Sequence, residues 1–122
     1  MKELLEYICS LHGYLIRLKE FHWAAPTHSE HVLCDSAIDK FTEIEDEIAE
    51  VSMGLYSTKI KVNDLKPLLP NSENIMDMLK ELVGETVALK KKLTKPEESG
   101  LCNILDEVIA ASQKFMYLST QK

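Results

Sequence analysis

The chain has 122 residues, 45% of them hydrophobic and 28% charged, and a formal net charge of −6. That length builds one domain with a real core but not two, and the composition is that of a globular protein. The acidic balance argues against a nucleic-acid binder, which carries a basic patch or tail, and no apolar run reaches the roughly 18 residues that cross a bilayer.

The first helix is expected from about Lys2 to Ala24. Leu4, Ile8, Leu11, Leu15 and Leu18 recur at helical spacing and His22 continues their stripe. Pro26 ends it, because the residue before a proline disfavours helix. A second helix follows from about Ser29 to Met53, capped by Thr27 or Ser29, with Ala37, Phe41, Ile44, Ile48 and Val51 as its apolar stripe and Gly54 as its expected stop.

Leu55 to Asn71 holds Pro67 and Pro70 and no sustained helical pattern beyond a short turn around Val62 to Leu65. So long a connection has a geometric use: it can return the chain along a bundle, so that the helices on either side of it run parallel. A third helix is expected from about Ser72 to Leu93, with Ile75, Leu79, Leu82 and Leu89 inward. Lys90, Lys91, Lys92 and Lys95 lie at its end, where cations suit the helix dipole. A fourth runs from about Pro96 to Thr120 on Leu101, Leu105, Val108, Ser112 and Phe115, and Gly100 weakens its start. The expected fold is all-α, a single domain over residues 1–122, a four-helix bundle of ferritin-like topology with one long crossover between the second and third helices.

Met1–Glu6 is too acidic and amphipathic for a signal peptide, so a cytoplasmic chain is expected. Cys9, Cys34 and Cys102 are odd in number and lie inside helical patterns without a C-x-x-C pair, so they are expected as small buried hydrophobes rather than a disulfide or zinc framework.

The histidines, His12, His22, His28 and His31, all fall in the first quarter of the chain. On the second helix His31 and Asp35 stand four apart, as do Asp46 and Glu50, and the eleven residues between Asp35 and Asp46 make close to three turns. All four therefore share a stripe, and it points away from the apolar one. Asp35 and Asp46 are about 16 Å apart along the helix at 1.5 Å per residue, too far for one metal. The midpoint of His31 and Glu50 coincides with that of Asp35 and Asp46, between Lys40 and Phe41. Two copies of this helix, antiparallel about a two-fold axis there, would set His31 beside the partner's Glu50 and Asp35 beside the partner's Asp46, twice per dimer. With His22 brought in by the turn at Pro26, two imidazoles and three carboxylates suit iron or manganese.

These residues resemble those of the Dps mini-ferritins, the DNA-binding proteins from starved cells. The match is His22-Trp23, His31-x-x-x-Asp35 and Asp46-x-x-x-Glu50, together with the helix order and the long connection. The resemblance implies metal ligands His22, His31 and Asp35 from one subunit and Asp46 and Glu50 from its two-fold mate, with Trp23 as an aromatic beside the site. It implies a ferroxidase that oxidises Fe(II) with hydrogen peroxide or dioxygen, stores Fe(III) in a shell of up to twelve subunits, and protects against oxidative damage, with manganese or zinc as substitute ions. The stretch from His22 to His31 is shorter than usual in that family, and no long Lys/Arg-rich N-terminal tail is present, so DNA binding is expected to be weak or absent. Classical ferritins place their site inside one bundle on Glu-x-x-His motifs; this chain has none, and no histidine follows His31.

The alternatives are bland ones. His22 and Trp23 can be packing residues at a helix end, and the polar stripe can serve only for dimerisation without metal, in a non-catalytic oligomer.

Overall fold

A computed structural model describes residues 1–121. Four helices carry the chain: α1 Lys2–Ala24, α2 His28–Tyr56, α3 Ile75–Lys92 and, after a single 3-10 turn at Pro96–Glu98, α4 Ser99–Ser119. Among the described residues there is no strand, and no helix is long and apolar enough to cross a membrane.

The bounds of α1 match the expectation, with Ala25 in extended backbone before Pro26. Thr27 caps α2, its hydroxyl accepting from the Glu30 N–H at 3.2 Å. Gly54 does not stop α2. Leu55 and Tyr56 beyond it are half-buried against the core, so packing carries the helix to Tyr56. The left-handed residue that ends it is Ser57, at φ 51°. α3 starts at Ile75 rather than Ser72, because Asn74 is the residue whose side chain accepts from a first-turn amide, that of Asp77, at 2.9 Å. The Ser72 hydroxyl instead donates to Glu81.

Around the bundle α1 packs on α2 and α3, and α4 packs on α3 and α2. Leu4, Leu11 and Leu18 of α1, Phe41 and Ile48 of α2, Leu79 and Leu82 of α3, and Leu105 and Val108 of α4 are fully buried between them. Phe41 meets Phe115 edge to face, with ring centroids 5.7 Å apart. Each such side chain contributes roughly 1.5–3 kcal/mol by leaving water. Cys9 and Cys34 are buried and Cys102 is half-buried, all with free thiols; burial pushes the Cys34 thiol up to about 11, which keeps it protonated and inert.

The connection after α2 lies on α1 as a strap. The Leu68 N–H donates to the Cys9 carbonyl at 3.1 Å, and Arg17 donates to the Pro70 carbonyl at 2.8 Å. Further along, Glu73, Asn74 and Ile75 come up beside Glu30, Leu33 and Cys34 in the first turns of α2. The strap thus climbs α1 in step with it and delivers α3 to the end of the bundle where α2 begins.

Candidate metal centre

The corner between α1 and α2 holds three of the residues singled out by spacing. The His22 and His31 rings stack with centroids 3.8 Å apart, and each ring binds the other residue's backbone. His22 Nδ1 lies 3.1 Å from the His31 carbonyl oxygen, and His31 Nδ1 lies 3.1 Å from the His22 carbonyl oxygen. A carbonyl oxygen only accepts, so both rings carry their proton on Nδ1 and, when neutral, offer a lone pair on Nε2. That is how metal-binding imidazoles are usually prepared, with the second nitrogen held by a backbone carbonyl or carboxylate.

Asp35 lies one turn below His31, its Oδ1 3.9 Å from His22 Nδ1, close but outside hydrogen-bond range. The Asp35 side chain is 66% exposed while that of His22 is only 14% exposed. Asp46 and Glu50 are exposed on the same face of α2, far down the helix, and nothing within the chain brings them to the histidines. Among the described residues no three His, Cys, Asp or Glu side chains close on one point. One chain therefore keeps the two pairs, His31 with Asp35 and Asp46 with Glu50, apart.

The midpoint of those two pairs, Lys40 and Phe41, does not itself face outward with them. Phe41 is wholly buried, and Lys40 lines a groove with Ser36, Glu107 and Lys114 on the α4 side. On the face that carries His31, Asp35, Asp46 and Glu50 the central residues by register are Asp39 and Thr42, and beside them Thr42 and Ile38 line a groove with Ile16, Lys19 and Trp23 of α1. Trp23 is 72% exposed. It is not packed into the core of the chain.

Two features escaped the spacing. His12 Nδ1 sits 3.0 Å from Oε2 of Glu45, a carboxylate that is only 8% exposed. Burial raises the Glu45 carboxyl above its usual range, against the lowering effect of the His12 hydrogen bond. The available signal was positional: His12 stands four after Ile8 and Glu45 four after Phe41, so each continues a core stripe at its edge. The second is His28, whose ring lies 6.4 Å from that of His31.

The sequence profile of a family of unknown function, DUF5856, matches residues 22–118. The chain belongs to that family. The matched span opens at His22 and contains His31, Asp35, Asp46 and Glu50, while His12 lies outside it. No curated protein and no solved structure matches the chain.

Proposed function

We propose that this protein is a mini-ferritin-type ferroxidase whose Fe(II) site forms between two copies of the chain, within a ferritin-like bundle. His22, His31 and Asp35 come from one protomer and Asp46 and Glu50 from its two-fold mate across the outer face of α2. The observation that carries the reading is the reciprocal His22–His31 pair, which commits both Nδ1 atoms to backbone carbonyls and frees both Nε2 atoms. The separation of the carboxylate pair from the histidines supports a site that is incomplete in one chain. The strap on α1, which lets α2 and α3 run the same way, supports the ferritin-like topology.

In this reading Fe(II) is the substrate. The imidazoles bind it as neutral donors, and the carboxylates, hard and anionic, favour Fe(III) over Fe(II) and so promote electron loss. Hydrogen peroxide takes one electron from each of two Fe(II) ions; its O–O bond breaks and two hydroxides form. Dioxygen is the alternative oxidant. The ferric product is stored as mineral inside a larger shell, and its removal from solution limits oxidative damage. The net charge of −6 helps draw cations in.

The test adds Fe(II) and peroxide and follows ferric absorbance. The Asp46→Ala/Glu50→Ala double variant is expected to oxidise iron far more slowly than the parent; parent-like oxidation sinks the assignment. A second reading is favoured by the lack of three converging His, Cys, Asp or Glu side chains among the described residues: the His22–His31 pair is a clasp for the α1–α2 corner, and the polar stripe only joins subunits. A small oligomer that stays free of metal when purified without chelator supports that rival.

A further inference from the structure

His28 is the histidine of the corner that the proposed iron site leaves unused. It is the first residue of α2, one turn before His31 and on the same exposed face. The two rings are 6.4 Å apart between centroids and inclined by only 20°. His31 is already held by its Nδ1 bond to the His22 carbonyl, which leaves its Nε2 to accept.

We infer that His28 and His31 together chelate a second kind of cation, a nitrogen-seeking divalent ion of the zinc–copper class, within a single chain. Two imidazoles that share such an ion, each at about 2.0–2.1 Å, bring their ring centres somewhat closer than they stand here. Rotation of the exposed His28 side chain supplies that change, and water completes the coordination. Imidazole suits zinc and copper, whereas hard oxygen donors set the preference at the carboxylate half of the face. The positive end of the α2 dipole opposes a cation at this position, and Glu30 in the same turn offsets it.

The binding itself does not depend on the ferroxidase reading. Its consequence does: His31 Nε2 would serve both ions, so zinc held by His28 and His31 would exclude Fe(II) from that donor and act as an inhibitor of iron oxidation.

The experiment titrates Zn2+ into the untagged, chelator-treated full chain by calorimetry, alongside His28→Ala, His28→Gln and the Asp46→Ala/Glu50→Ala double variant. His28 is exposed and the Thr27 cap remains, so both His28 variants are expected to fold. Each is expected to weaken one zinc association per chain at least about tenfold, the effect that even an outer partner of a metal ligand can carry. The carboxylate double variant is expected to keep it. Parent-like zinc binding in both His28 variants overturns the inference, as does a loss of zinc confined to the carboxylate variant. Parent-like iron oxidation by the carboxylate variant would instead remove the ferroxidase reading and leave the zinc site standing.

Discussion

A Cβ placed on Gly13 would lie 1.8 Å from the carbonyl oxygen of Leu68. The helix and the strap touch backbone to backbone at this point, held on one side by the Leu68–Cys9 hydrogen bond and on the other by Arg17 on Pro70. In an open helix Gly→Ala would stabilise by about 1 kcal/mol. Here the clash is with backbone, which cannot rotate aside, so overpacking wins and reverses the sign. Gly13→Ala is expected to destabilise by about 2–3 kcal/mol, read as a lower urea midpoint. A rise in the midpoint would mean that the strap does not sit on α1.

Gly13 also marks the limit of what periodicity conveys. Leu4 to Leu18 announce α1 because a buried face must repeat at about 3.6 residues. Nothing in that periodicity explains the glycine within the run, since its reason, the strap, is distant in sequence. Gly54 misled for the same cause: whether a helix ends is decided by what Leu55 and Tyr56 can bury, and Ser57 took the left-handed turn instead. The shared exposed face of His31, Asp35, Asp46 and Glu50 was legible because all four ride on one uninterrupted helix. The His12–Glu45 pair was not, since it joins two helices whose mutual rotation no spacing fixes.

Tyr56 donates to Glu98 Oε2 and the Lys95 N–H donates to Oε1, and these bonds, the tyrosine's first, hold the Glu98 carboxyl below its usual range. A carboxylate with a lowered folded value adds stability that is present above its unfolded value and lost as pH falls through the lowered one. Tyr56→Phe is therefore expected to lower the urea midpoint at neutral pH, with the gap from the parent narrowing below about pH 4.5, the ordinary carboxyl value. A gap that stays constant through the acid range would show that the Tyr56 hydroxyl does not act through Glu98.

His22 and His31 each bind a carbonyl through Nδ1, so both are expected as the Nδ1–H tautomer near neutral pH. Long-range 15N–1H NMR correlations of the imidazoles distinguish the two tautomers directly. Protonated Nε2 with bare Nδ1 on either ring would break the reciprocal pair. Loosening the corner makes a graded check: Thr27→Ala removes the α2 cap at a cost of about 1 kcal/mol and is expected to weaken this tautomer signature before the fold is lost.

Thr42 stands eleven residues after His31, close to three turns, and so looks out between the His31–Asp35 and Asp46–Glu50 pairs, whereas Lys40 looks toward α4. A two-fold axis that pairs His31 with the partner's Glu50 would also pair Thr42 with the partner's Asp39, since the two pairs share one midpoint. A glutamate at Thr42 would then face that carboxylate on both sides of the seam, like charge against like. Thr42→Glu is expected to shift the mass in sedimentation toward that of the monomer and, on the proposed function, to slow iron oxidation with it. Lys40→Glu is expected to leave the mass unchanged. The opposite pattern, an intact Thr42→Glu oligomer and a dissociated Lys40→Glu one, would move the interface to the α2–α4 groove and separate Asp46 and Glu50 from the histidines for good.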